Sequence, residues 1–361
     1  AKTLAVAGLS VVGRDHYGVF PLRGKCKNVR DSSVAQLTSN QEFNDLKKIL
    51  GLQQGKEYTN VSELRYGRLM IMTDADNDGS HIKGLILNMF HYFWPSLLKF
   101  NFVVSMVTPI IKATKGSETK SFYTDSALRS WYGNGKSGWK IKYYKGLGTS
   151  TSAEAREYFK KIQDLTVKFD MDAMTDESII LAFDKKKADA RKTWLLESTA
   201  KETGELEVPY GNVTQLAITD FVHKDLVNFS LADLKRSIAH VADGLKPSQR
   251  KVMYSCFHKN LRDEMKVAQL AAYVAEKSAY HHGEVSLAET IVKLANDYTG
   301  SNNINLLEPC GQFGTRLMGG KDASQTRYIF TRLSNDTRKI FDPKDDAVLT
   351  YLDDDGRSIE P

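Results

Sequence analysis

The sequence predicts an α/β domain followed by a mainly α domain of the helix-turn-helix type with a wing, and three observations predict it. The apolar run RLMIM (68–72) leads through an acidic turn into apolar residues at helical spacing. From residue 211 the pattern turns helical, with three short periodic stretches separated by brief breaks. Those stretches are followed by a glycine-rich segment, GQFGTRLMGGKD (311–322), and a β-prone one, RYIFTRL (327–333).

Along the chain, RLMIM reads as a buried strand, and Ile82, Leu85, Ile86, Met89, Phe90 and Phe93 share one face of the helix after it. Sites in such βα units lie at the strand's C-terminal end. Further strands are expected at VTPIIKA (107–113), SFYT (121–124) and WKIKYY (139–144). Thr151, with Glu154 three residues on, is a capping-box start for another helix. Residues 166–210 are polar and lysine-rich and are expected to form a connecting segment with one helix, the run DKKKADARK (184–192) being a solvated face. Helices are then expected over 245–258, 266–278 and 283–297, with Pro247 in a first turn where proline is tolerated. The expected division is 1–165, 166–210 and 211–361.

The chain has 361 residues, 41% hydrophobic and 26% charged, enough apolar material for more than one core. Its formal charge of +6 permits a polyanionic partner without arguing for one. The three cysteines, Cys26, Cys256 and Cys310, are far apart and form no CxxC, which speaks against a disulfide framework or a zinc site. No apolar run approaches the roughly 20 residues of a membrane span, so no membrane partner is expected. The start AKTLAVAGLS and the end YLDDDGRSIEP carry no leader or element signal, and both are expected to be boundaries inside a longer polypeptide.

Three motifs carry chemistry. In TDADNDG (73–79), Asp74, Asp76 and Asp78 alternate just past a buried strand. Convergent carboxylates repel one another unless a cation joins them, and a hard divalent ion such as Mg2+ suits them. A calcium EF-hand loop also begins D-x-D-x-D-G, but its twelfth position must be a bidentate Glu and here is Leu85; a purely structural acidic turn is the other reading. Next, residues 235–282 hold nine basic against four acidic side chains, the electrostatic footprint of phosphate binding on a helix-turn-helix frame; the plainer alternative is a solvated face. Lastly, Tyr328 follows Arg327 downstream of the glycine-rich segment. One tyrosine of 16 is ordinarily a packing residue, and a phenol of pKa near ~10 needs an adjacent cation or metal to act as a nucleophile.

Together these strings closely resemble eukaryotic type IIA DNA topoisomerases over essentially the whole chain. The segments that carry the likeness are VVGRDHYGVFPLRGK (11–25), TDADNDGSHIKGL (73–85), KYYKGLGTSTS (142–152), DGLKPSQRK (243–251), KVAQLA (266–271), SAYHHGE (278–284) and GQFGTRLMGGKD followed by RYIF. The resemblance implies a TOPRIM domain with a Rossmann-like, largely parallel sheet holding Mg2+ through Asp74, Asp76 and Asp78 in a two-metal type site. It also implies a winged-helix domain whose Tyr328 attacks a DNA phosphodiester to form a 5′-phosphotyrosyl link. Arg327 would steady the phosphate, and Lys145, Lys246, Gln249, Arg250, Lys266, His281, His282 and Lys321 would contact double-stranded DNA.

By the same resemblance the working form is a homodimer, each site combining the TOPRIM domain of one protomer with the tyrosine of the other. The full protein would use ATP for strand passage in a nuclear, or else organellar or large-virus, setting. The family's EGDSA segment contributes a metal-binding Glu and this chain starts at its Ala, so weak cleavage or none is expected of the chain alone. Two readings stand beside this one: a TOPRIM nuclease, and a non-catalytic winged-helix DNA-binding module.

Overall fold

A computed structural model describes residues 2–133, 138–144, 146–200, 206–354 and 356–361. The chain forms two compact units, residues 1–232 and 233–361. Among the described residues no helix is long and apolar enough to cross a membrane.

In the first unit, the strand expected at 68–72 is β1 (Leu69–Ile71), and the helix after it runs Asn77–Phe93. Leu85, Ile86, Met89 and Phe90 are buried on the expected face, with Ile82 and Phe93 packed beside them. The helix buries more than one stripe, for Leu87 and Asn88 are also inside. Such a helix lies within the unit rather than on its surface.

The single strand expected at 107–113 is two, β2 (Val103–Met106) and β3 (Ile111–Lys115). The break falls at Pro109, which has no N–H to give a ladder. β3 pairs antiparallel with β4 (Glu118–Phe122) on one side and β5 (Lys140–Tyr143) on the other.

The main sheet has the order β1-β2-β6-β7, where β6 is Thr166–Asp170 and β7 is Gln215–Ala217. β1–β2 and β6–β7 are parallel, but β2–β6 is antiparallel. The expectation of a largely parallel sheet is therefore corrected to a mixed one. Between β2 and β6 the chain inserts the β3–β5 sheet and helix Ser152–Lys160, then re-enters from the opposite end, with the Val107 amide donating to the Leu165 carbonyl at 2.9 Å.

Residues 166–210, expected as a connector with one helix, supply β6 and two helices, Thr175–Phe183 and Ala188–Thr199, to this unit. Val167, Phe169, Ile179, Phe183 and Trp194 all join the core. The lysine run is exposed, as a solvated face should be. Past β7 comes a six-residue π-helical stretch, Phe221–Leu226, continued by helix Val227–Ser237.

The capping box at helix Ser152–Lys160 is present. The Thr151 amide donates to Glu154 Oε2 at 2.8 Å and the Glu154 amide to Thr151 Oγ1 at 3.2 Å. Burial alone would raise the Glu154 carboxyl, but hydrogen bonds from Tyr144, Thr151 and Lys142 outweigh it and pull the group from 4.5 to about 2. A lowered carboxyl stabilises the fold fully above its unfolded pKa and loses that contribution as pH falls through the folded one. Thermal melts of the wild type should therefore lose stability from pH 4.5 to about 2 more steeply than melts of Glu154→Gln.

In the second unit, helices Pro247–Lys259, Val267–Lys277 and Glu284–Ala295 pack through Val252, Met253, Cys256, Leu270, Val274, Leu287 and Ile291. Pro247 opens the first of them. An antiparallel sheet of order β8-β10-β9 accompanies them, with β8 at Met265–Lys266, β9 at Leu307–Cys310 and β10 at Phe330–Leu333. Only the end of the β-prone stretch is strand, and residues 327–329 form the loop that enters it.

Candidate functional site

The acidic loop lies at the C-terminal end of β1. Asp76 caps the helix that follows, its Oδ1 accepting from the Gly79 amide at 2.7 Å, so the helix starts at Asn77 and Asp78 falls in its first turn. Residues two apart at a helix start do not face the same way. Asp74 and Asp76 accordingly line one cavity of about 160 Å³, while Asp78 pairs with Lys25 at 2.6 Å. The convergence of all three carboxylates is thus corrected to two, and among the described residues no three His, Cys, Asp or Glu side chains form a metal-binding group. Two hard oxygen donors at one cavity suit magnesium, which is commonly held by one or two carboxylates with water and substrate phosphate as its other ligands.

The segment after β5 closes on this loop. Leu147 donates its amide to Asp74 Oδ1 at 2.6 Å, and a Cβ on Gly146 would lie 3.1 Å from Asp74 Cγ. Lys145, expected beside it, lies outside the described residues.

Behind the acidic loop is a network that the sequence did not single out. Asp225, in the π-helical stretch, accepts from Ser80 Oγ at 2.6 Å, from Lys83 Nζ at 3.4 Å and from the Tyr210 hydroxyl. Both charged side chains are largely buried. Burial, and then the Asp225 charge, push the Tyr210 phenol well above its ordinary value, so it stays a neutral donor. The one available signal was Lys83 itself, a cation set among Ile82, Leu85 and Ile86 at buried-face spacing.

In the second unit, Tyr328 is 65% exposed while Ile329 beside it is buried. The Arg327 guanidinium lies 4.9 Å from the Tyr328 ring centroid. His281 and His282 are exposed in the turn before helix Glu284–Ala295; His281 Nε2 is 3.9 Å from Asp354, and His282 packs edge-on against Tyr280.

Lys246, Lys266 and Lys321 are also exposed. Gln249 is occupied as a cap, accepting from the Lys246 amide at 2.9 Å. Arg250 is turned inward, its guanidinium gripping Asp243 through bonds of 2.6 and 2.9 Å. Burial would raise the Asp243 carboxyl, but Arg250 and the Leu245 amide hold it below the usual range.

Comparison with known proteins gives three family models that tile the chain. They are the Toprim domain over residues 2–109, the C-terminal associated domain of TOPRIM over 106–234, and the A-type subunit of DNA gyrase/topoisomerase IV over 236–361. The chain is 53% identical over 371 residues to DNA topoisomerase 2 of Arabidopsis thaliana and 53% identical over 374 residues to that of Drosophila melanogaster. All of this chain is covered in both cases, and it spans only about a quarter of each relative, 25% and 26%. A crystal structure of the Plasmodium falciparum topoisomerase II DNA-binding, cleavage and re-ligation domain matches with a TM-score of 0.81 at 52% identity, over 100% of this chain and 49% of that one. With identity sustained from end to end and the fold shared, this chain belongs to the eukaryotic DNA topoisomerase 2 family.

Proposed function

We propose that this chain is the DNA-cleaving and rejoining part of a type II DNA topoisomerase, with Tyr328 as nucleophile. The observation that carries the reading is the exposed Tyr328 phenol beside the Arg327 guanidinium, at the mouth of β10. In the reaction the Tyr328 hydroxyl gives up its proton as its oxygen bonds to a DNA phosphorus, the P–O3′ bond breaks and the 3′-oxygen takes up a proton, and the 5′-phosphotyrosyl link keeps the bond energy for resealing. Arg327 neutralises charge that builds on the phosphate oxygens.

Asp74 and Asp76 would hold magnesium, which when bound supplies charge stabilisation for the phosphate and the leaving oxygen. Residues 211–361 contain a winged-helix DNA-binding domain, with Lys246, Lys266, Lys321, His281 and His282 toward double-stranded DNA. Arg250 instead braces the start of the first helix through Asp243. The complete protein works as a nuclear homodimer, the acidic loop of one protomer serving the tyrosine of its partner, and draws on ATP bound elsewhere in its chain.

The test is denaturant-trapped covalent attachment of the full-length protein to DNA, in magnesium and in EDTA, with Tyr328→Phe alongside. A magnesium-dependent adduct at a 5′ end that vanishes in the variant is expected. Equal cleavage by the variant would sink the reading in favour of a hydrolytic nuclease, and DNA binding without any adduct in favour of a non-catalytic module.

Salt titration separates the basic residues. Lys266→Ala should weaken DNA binding evenly across sequences and lower the salt slope by about 1. Arg250→Ala should leave that slope unchanged and cost about 1–3 kcal/mol of stability, because Asp243 loses its partner.

A further inference from the structure

The helix that follows the acidic loop is held from behind by residues distant in sequence. Asp225 belongs to the π-helical stretch Phe221–Leu226, a widened turn of the kind often found at functional sites. Its carboxylate accepts from Ser80 Oγ and Lys83 Nζ on helix Asn77–Phe93, and from the Tyr210 hydroxyl in the segment before β7. Lys83 Nζ also lies 5.2 Å from the Tyr210 ring centroid. Just beyond, the helix and the π-helical stretch pack closely, for a Cβ on Gly84 would come within 3.1 Å of Leu226 Cδ1. A contact so tight transmits position rather than absorbing it.

Two lines lead from Asp225 to the carboxylates of the cavity. One is mechanical. Ser80 is buried in the first turn of the helix that Asp76 caps, and its amide donates to the Asp76 carbonyl at 3.1 Å. The 2.6 Å bond from Ser80 Oγ to Asp225 therefore fixes the end of the helix from which Asp76 projects. The other line is electrostatic. Lys83 and Asp225 line the same cavity as Asp74 and Asp76, so an uncompensated ammonium there would repel a divalent ion gathered by the two carboxylates. Paired at 3.4 Å, Lys83 and Asp225 together add no net charge.

We propose that Asp225 is a positioning residue for magnesium at Asp74 and Asp76: through Ser80 it sets where Asp76 stands, and through Lys83 it keeps a buried cation from repelling the metal. The proposal rests on the reading that these two carboxylates hold magnesium, but not on the chemistry of Tyr328. Removing a group that holds a metal's ligands in place typically changes metal affinity by roughly 10–100-fold, which sets the scale of the effect.

The experiment titrates Mn2+ into the full-length protein without DNA or nucleotide, following the free ion by electron paramagnetic resonance, and separately measures trapped-adduct yield against magnesium concentration. Asp225→Asn, which keeps the side chain's shape and an acceptor, should weaken Mn2+ binding about tenfold. Adding Lys83→Met should recover most of that loss, and Ser80→Ala alone should weaken binding about threefold. In the adduct assay Asp225→Asn should need more magnesium for half the yield and still reach the wild-type yield at saturation; a loss of saturated yield with unchanged magnesium demand would overturn the proposal. So would Mn2+ affinities at the wild-type level in both Asp225→Asn and Ser80→Ala, with the magnesium reading left standing. A loss in Asp225→Asn that Lys83→Met does not recover and Ser80→Ala does not share would make Asp225 a metal ligand itself, and also overturns the positioning role. Absence of Mn2+ binding by the wild type removes both readings. Tyr328→Phe should bind Mn2+ as the wild type does, so that failure of the cleavage reading and failure of this one are told apart.

Discussion

Gly79→Ala should abolish magnesium-dependent DNA cleavage, with a fall of at least about 100-fold, and should also lower stability by about 1–3 kcal/mol. A Cβ at residue 79 would lie 2.0 Å from the Asp74 carbonyl oxygen and 2.9 Å from Thr73 Oγ1. The first of these neighbours is backbone, so relief requires moving the acidic loop rather than turning a side chain. The loop is also where Asp76 holds the Gly79 amide, so displacement breaks the helix cap and shifts two carboxylates together. Gly67→Ala is the control: a Cβ there meets nothing within 4 Å, and neither activity nor melting should change. Trapped-adduct yield and thermal melting measure the two effects, and cleavage at the wild-type rate by Gly79→Ala would show the loop to be more pliant than its packing implies.

Asp225→Ala should destabilise the first unit by about 3–5 kcal/mol. It strands the Lys83 ammonium, whose side chain is only 9% exposed, and removes the acceptor of the Ser80 and Tyr210 hydroxyls. The cost comes mainly from the orphaned charge, so Lys83→Met in the Asp225→Ala background should recover a large part of it. Urea denaturation of the single and double variants gives the comparison, and additive losses in the pair would mean that the two groups are not coupled.

How much of this was legible depends on how far apart the cooperating residues lie. β1 and its helix could be read because continuous apolar residues and 3.6-residue spacing are local properties, and the Thr151–Glu154 box because its members are three residues apart. β6 carried a strand signal in the alternation of Val167 and Phe169, but neighbouring lysines made it look like linker. Its antiparallel pairing with β2 leaves no trace in either strand.

The three aspartates were read at the spacing of an extended chain, and only the cap at Asp76 decides that the helix has begun before Asp78. Arg250 counted as one more cation in a basic stretch, whereas Asp243, seven residues earlier, had claimed it. The Lys83–Asp225 pair joins residues 142 positions apart, and a charged residue met alone in a sequence is ordinarily a surface residue. The family likeness bridged the longest gap, because nothing in the spacing of Tyr328 sets it apart from the other tyrosines.

The π-helical stretch gives Asp225 its aim. Its wider turn holds one residue more than an α-helix would, and each residue of an α-helix advances the phase by ~100°. Deleting a single residue between Phe221 and Leu226 would let the rod rewind as plain α-helix and keep its length nearly unchanged. Because the widened turn holds its extra residue without changing the phase of the flanking helix, its loss would leave Val227 and Phe229 in the core and re-aim only side chains inside the turn, Asp225 among them. The aim of Asp225 at Lys83 therefore depends on the residue count of this segment as well as on its residue types.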